Sequence, residues 1–306
     1  MPRRILYTFL SVLLTTYGLT GCTKSTKSLA SKPVSQRLAA IDGATLDRLD
    51  LQNGNVAYIQ TIDLRKVQLD QLMGEVDHTQ TAKGTYYPSQ NKNSSPFFKR
   101  LTVSDIRNQY QKRYGAGIFS IINASFFEDY KVSSRLSFPI KLNGKVISTG
   151  NSPYGPIPSP ADSYYRNIQL KALTWSDGQV AITNYNPTTG YPLNQPTVKN
   201  ALVSYIYKDH PAYTLAKDPA NKYHVLGILK PNQLAIVTVN RTTLESAAHL
   251  LRQKGVRDDL MTIDGGISTY LWNSKAGDLI LPQVAEKEKV AALPHYLGLR
   301  QKANLN

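Results

Sequence analysis

The chain has 306 residues, with 36 Lys or Arg against 21 Asp or Glu, a formal net charge of +15 and a single cysteine. That length is ample for one large domain, and one cysteine excludes a disulfide framework or a cysteine-built metal cluster. The basic balance points to anionic envelope surfaces or an anionic substrate. The basic residues are scattered and no nucleic-acid module appears, so no nucleic acid is expected as a partner.

Residues 1–21 read as a leader. MPRR gives a basic start, and Ile5 to Leu19 is a mostly apolar run of 15 residues. It is too short for a comfortable membrane span of about 20 residues and suits a signal-peptide core. The run ends in Leu19-Thr20-Gly21-Cys22, which resembles the lipobox of bacterial lipoproteins. The resemblance implies that Cys22 is lipidated and becomes the N-terminus, anchoring the protein to a bacterial membrane in the cell envelope, outside the cytoplasm. Residues 22–40, rich in Ser, Thr and Lys, read as a flexible tether. Residues 41–306 are left as the folded domain.

Along that domain, NVAYIQTIDL and VQLDQLMGEV alternate as strands do, and KGTYYPSQNKNSSP (83–96) is a polar loop. Thr102-Val-Ser-Asp105 is a capping box opening a short amphipathic helix that Gly115 closes. GIFSIINASFF contains a buried strand. Hairpins are expected to turn at Asn143-Gly144 and Asp177-Gly178, with irregular loops at 150–165 and 184–197. HVLGIL and QLAIVTV are strands joined by Lys230-Pro231-Asn232. Thr242-Thr-Leu-Glu245 reads as a second capping box, with Glu245 its reciprocal half, ahead of a helix that has Leu244, Ala247, Ala248 and Leu251 on one face and Gly255 as its C-cap. The strand LMTI then runs into DGGIST, and a last strand lies near His295–Arg300. Many strands, few helices and one late crossover helix indicate a single α+β domain around a mixed sheet.

Two stretches carry candidate chemistry. NASFF (Asn123–Phe127) and DGGIST (Asp264–Thr269) each leave a short apolar strand and put polar groups where a sheet edge opens into a cleft. In DGGIST, Gly265 and Gly266 let the backbone turn sharply and approach a ligand. Successive amides make an anion-binding concavity, and Ser268 and Thr269 add hydroxyls. The same residues also make an ordinary Asp-capped turn. In NASFF, Asn123 could orient a sugar hydroxyl and Phe126 and Phe127 could stack on a ring, or the aromatics could belong to the core. Of the five histidines, His78, His210, His224, His249 and His295, none forms an HxH or HExxH pair, so no metal site is expected. No cofactor motif and no G-x-S-x-G elbow is present.

Taken in order, Asn-x-x-Phe-Phe after a strand, Thr-Leu-x-Glu on a helix, and a strand into Asp-Gly-Gly-x-Ser resemble the phosphodiester glycosidase family, the catalytic-domain family of the lysosomal uncovering enzyme. The resemblance spans roughly 55–300 and extends to the closing LPHYLGL. It implies a hydrolase that releases a sugar from a glycosyl phosphodiester or a related envelope glycan. Asp264 is then the candidate catalytic carboxylate and Glu128 a candidate second one. Asn123, Phe126, Phe127, Tyr223, His224, Gly265, Gly266, Ser268 and Thr269 become candidates for binding a glycan or sugar-phosphate ligand. Cleaving the C1–O bond builds oxocarbenium character that a carboxylate stabilises, while the phosphate oxygens need donors and positive charge.

The chain departs from the family pattern twice. Ile267 replaces a third glycine, and Tyr223-His224-Val225-Leu226-Gly227 stands where many members carry Arg-Thr-Ala-Ile-Gly. Lys222 and Arg241 are the candidate substitutes for that arginine, although a lysine offers a point charge and not a fork. A second expectation, a non-catalytic glycan-binding or scaffold lipoprotein on the same fold, is favoured by the missing arginine and opposed by the retained Asp264, Gly265, Gly266 and Ser268. The oligomeric state is not set by any of these features.

Overall fold

The structure is a computed structural model that describes residues 34–51, 54–80, 96–128, 132–150, 168–257, 259–284 and 290–303. The leader, Cys22, most of the tether and the loops expected at 83–96 and 150–165 therefore lie largely outside the described residues. So does the side chain of Glu128. The described residues fall in one compact unit that starts at Pro33.

In chain order, β1 (Val34–Ile41), β2 (Ala44–Asp50) and β3 (Val56–Asp63) form an antiparallel meander, followed by β4 (Val67–Met73). Short strands β5 (Phe97–Lys99) and β6 (Leu101–Thr102) lead into helix α1 (Val103–Tyr114). Next come β7 (Ile118–Asn123), β8 (Phe127–Glu128), β9 (Ser133–Leu136), β10 (Pro139–Leu142) and β11 (Lys145–Thr149). They are followed by β12 (Leu170–Ser176), β13 (Gln179–Asn184), β14 (Asn200–Ile206), the one-turn α2 (Pro211–Thr214), β15 (Asn221–Lys230) and β16 (Gln233–Thr242). Helix α3 (Leu244–Gln253), β17 (Met261–Ile263), β18 (Leu271–Asn273), β19 (Gly277–Ile280), β20 (Ala292–Leu293) and β21 (His295–Gln301) complete the chain.

The larger sheet runs β1-β2-β3-β16-β15-β17-β14-β10-β11, with β12 also on β14 and β13 on β12; the smaller runs β19-β18-β7-β21-β4. They share a core that includes Leu46, Ile62, Ile121, Leu226, Met261 and Leu297, all essentially inaccessible.

Every strand pair among the described residues is antiparallel, so the expected mixed sheet is corrected to an antiparallel, sheet-dominated architecture. The late crossover helix exists, but α3 carries the chain over β15. As a result β16 and β17 run parallel to each other on either side of a strand antiparallel to both. The expected face of α3 packs on Val225, Ala235, Val237 and Val239, and Leu244 and Leu251 each gain roughly 1.5–3 kcal/mol by burial.

The boundary at residue 41 is corrected as well. β1 begins at Val34 and pairs with β2 through Asp50, since QRLAAI alternates well enough to add an edge strand, and Arg37 pairs with Asp47.

The first capping box holds: Thr102 Oγ1 accepts from the Asp105 N–H at 3.1 Å. The second moves by one residue. Thr242 is still strand, and Thr243 caps α3 by accepting from Ser246 N–H at 3.1 Å. Asp218 reaches across to take the Leu244 and Glu245 amides at 2.7 and 2.9 Å. Glu245 is thereby released from capping and binds Arg252, Tyr207 and Tyr213. Both hairpins turn where expected, with left-handed backbone at Asn143-Gly144 and at Asp177-Gly178.

Candidate functional site

The two stretches singled out in the sequence meet in space. β7 ends the smaller sheet's central strand at Asn123, and β17 ends in the larger sheet just before Asp264. The N–H of Asp264 donates to Ala124 O at 2.9 Å, and Asn123 Nδ2 donates to Asp264 O at 2.8 Å. Asn123 Oδ1 accepts from Tyr270 N–H and from His224 Nε2, both at 2.8 Å. The backbone donors and acceptors fix the amide's orientation, which makes His224 Nε2 the donor and leaves Nδ1 to accept from Thr238 Oγ1 at 2.8 Å. Burial pushes His224 down to about 3, consistent with a neutral ring. His224 is thus a satisfied core histidine that also orients Asn123.

Asp264 is 8% exposed. Burial pushes its carboxyl up to about 7, against the lowering effects of the Ser268 hydroxyl, the Gly265 N–H and the Asn123 amide. The Gly265 amide and the Ser268 hydroxyl, expected to face a ligand, instead lie where both lower the carboxyl's affinity for a proton, and Ser268 is buried. Gly265 is held tightly: a Cβ there would lie 2.9 Å from Lys222 O and 3.5 Å from Tyr223 Cδ1. Gly266 takes φ +61° and opens a turn over Gly266–Ser268, so its own N–H has no intrahelical acceptor. Thr269 is fully buried and its hydroxyl donates to Gly266 O at 3.0 Å, closing the turn.

Tyr223 is buried, donates its hydroxyl to Pro219 O at 2.9 Å and begins an aromatic strip. Its ring centroid lies 6.3 Å from that of His210, which lies 5.4 Å from Phe126 and 5.2 Å from Tyr205. Phe126 is half-buried in this strip, whereas Phe127 belongs to the core cluster of Phe98 and Leu136. His210 belongs to no HxH or HExxH pair, so nothing in the sequence around it marks it as a site residue. Its Nδ1 accepts from Ala212 N–H at 3.1 Å, which leaves Nε2 as the donor edge, and burial pushes it down to about 4. Ser125 and His295 were also missed. They lie inside NASFF and LPHYLGL, are both buried, and bond Oγ to Nδ1 at 2.7 Å.

Lys222 and Arg241, the candidate substitutes for the missing arginine, occupy different surroundings. Lys222 touches Gly265 through its main chain and sends Nζ to Leu281 O at 3.3 Å, and burial lowers its affinity for a proton. Arg241 is exposed, with left-handed backbone, near the end of β16. Among the described residues no three His, Cys, Asp or Glu side chains gather as a metal site would require.

No protein-family profile matches the chain, and no curated protein sequence matches it. Solved structures do. The catalytic domain of zebrafish N-acetylglucosamine-1-phosphodiester alpha-N-acetylglucosaminidase, auto-inhibited by its pro-peptide, aligns with a TM-score of 0.54 at 14% identity. The alignment covers 89% of this chain and 85% of that one, so the two share a fold. A hypothetical protein from Synechocystis aligns with a TM-score of 0.47 at 13% identity, over 89% of this chain and 65% of that one.

Proposed function

We propose that this chain is a lipid-anchored, extracytoplasmic hydrolase that releases a sugar from a glycosyl phosphodiester, with Asp264 as its general base. The observation that carries the reading is the buried Asp264 carboxyl, poised near 7 on a loop whose Asp264 carbonyl Asn123 Nδ2 holds at 2.8 Å where the two sheets meet. The fold shared with a phosphodiester glycosidase supports it.

A carboxylate with this affinity for a proton suits a base at neutral pH better than a nucleophile, which needs to stay ionised. In the proposed reaction, water attacks C1 of the sugar while Asp264 takes its proton. The C1–O bond breaks and its electron pair leaves with the phosphate oxygen. Phosphate is a good leaving group, so one carboxylate suffices where an alcohol would call for a second. Lys222 and the Gly266 N–H meet the phosphate charge. Phe126 and the neutral Nε2–H of His210 face the sugar.

One observation favours a second reading, a glycan-binding lipoprotein without chemistry. Two donors expected for the phosphate, Gly265 N–H and Ser268 Oγ, act instead on the Asp264 carboxyl by lowering its affinity for a proton, and Ser268 is buried. The test incubates the full chain and its Asp264→Asn variant with sugar nucleotides and alkyl-phosphate esters of N-acetylglucosamine and follows free sugar by mass spectrometry. Sugar released by the parent alone supports the hydrolase; binding without release by either protein supports the second reading.

A further inference from the structure

Eight large apolar side chains stand exposed among the described residues, and three of them gather at one edge of the candidate site. Ile267, 42% exposed, is in the Gly266–Ser268 turn itself; Leu281 and Val284, 52% and 49% exposed, lie on the segment after β19. This segment is fixed beside the turn by Gln283 N–H, which donates to Ile267 O at 2.7 Å. Lys222 joins the two parts, with its main chain against Gly265 and its ammonium on Leu281 O. The turn that follows the buried Asp264 thus carries Ile267, and a partly desolvated ammonium and two further exposed apolar side chains adjoin it through Lys222 and Gln283. Single exposed apolar residues are ordinary, but a cluster of them adjoining a polar site marks a contact surface.

We propose that this edge receives the leaving group of the substrate and that the leaving group is a lipid phosphate, so that the substrate is a sugar joined through C1 to the phosphate of a lipid monoester. The proposal rests on the glycosidase reading above. Its chemistry is complementary along the whole edge. The phosphate anion meets the Lys222 ammonium, and the hydrocarbon next to it covers Ile267, Leu281 and Val284. A nucleoside or second sugar in that place would cover apolar side chains with polar groups, forfeiting the gain of roughly 25 cal/mol per Å² that hydrocarbon obtains there. Hydrolysis would proceed as above: water adds to C1, its proton goes to Asp264, the C1–O bond breaks, and the lipid leaves as a phosphate monoester.

The test uses the full chain in detergent micelles with two esters of one sugar, hexadecyl and methyl N-acetylglucosaminyl phosphate, and compares kcat/KM. The parent is expected to prefer the hexadecyl ester at least about 10-fold. In a Leu281→Ser/Val284→Ser variant the ratio between the esters should fall several-fold from the parent's. Concentration of the hexadecyl ester in micelles affects parent and variant alike, so only the loss of preference supports the assignment. Equal rates on both esters, or a preference as large in the variant as in the parent, would overturn it. If neither ester releases sugar, the glycosidase reading fails, and the lipid assignment is decided by retention of the two esters on the immobilised chain. Selective retention of the hexadecyl ester that the variant loses upholds it; equal retention overturns it.

Discussion

Asn123 donates its side-chain amide to the main-chain carbonyl of Asp264 at 2.8 Å, a contact that spans 141 positions of sequence and joins the ends of two different sheets. Because Asn123 is itself held by His224 and Tyr270, this single side chain sets the position of the loop that carries the candidate carboxylate. Removing it orphans two buried donors, His224 Nε2–H and Tyr270 N–H. Each unsatisfied buried donor costs about 1–3 kcal/mol, so Asn123→Ala should lose roughly 2–6 kcal/mol in urea unfolding. Asn123→Ala with parental stability would show that the sheets do not depend on this contact.

The Asp264 carboxyl has a consequence for stability that runs opposite to that of a salt-bridged aspartate. Its affinity for a proton is raised in the folded state, from 3.8 to about 7. The unfolded chain therefore gives up this proton first, and the folded state loses stability as the pH rises through that window. The loss is complete above it and amounts to roughly 4 kcal/mol from this one group. Asp264→Asn removes the penalty. Its thermal midpoint should rise relative to the parent as the pH goes from 5 to 8, over which roughly 3 kcal/mol of the parent's stability is lost, and a difference that stays constant with pH would refute the burial argument.

The same group sets an expected activity profile. A general base must be ionised, so kcat should climb through a pH near 7 and level off above it. His210, pushed down to about 4, is neutral across the whole range and should contribute no inflection there. A rate that falls as the pH rises through 7 would assign Asp264 the role of an acid.

Lys222 lies against Gly265 through its main-chain carbonyl and sends its ammonium to Leu281 O at 3.3 Å. Lys222→Gln should weaken binding of a phosphodiester by about 1.5–3 kcal/mol, the range for a hydrogen bond to a charged group, seen as a higher KM with thermal stability nearly unchanged. Unaltered KM would mean that the phosphate is met elsewhere.

Much of this architecture is legible from local chemistry. Asn143-Gly144 and Asp177-Gly178 announce their hairpins because only residues tolerant of left-handed backbone make such turns. The face of α3 follows from its helical spacing. What local chemistry does not carry is long range. Asp218 replaces Glu245 at the start of α3 from 26 and 27 residues away, and antiparallel pairing of β17 with β15 depends on where the crossover lands. At the candidate site, NASFF and DGGIST are visible as polar strand ends. Whether their donors face outward is not, and Ser268 is buried. His210 stands in a loop with no motif around it, and becomes notable only through its packing on Phe126.

The central claim is cleavage of the sugar's C1–O bond with water deprotonated by Asp264, and the phosphate product records which bond breaks. Turnover of an alkyl N-acetylglucosaminyl phosphate by the full chain in oxygen-18 water, read by mass spectrometry of the alkyl phosphate, should give an unlabelled phosphate monoester from the parent and none from Asp264→Asn. Oxygen-18 in the phosphate would place the attack on phosphorus, and equal turnover by the variant would remove Asp264 from the reaction; either result contradicts the account.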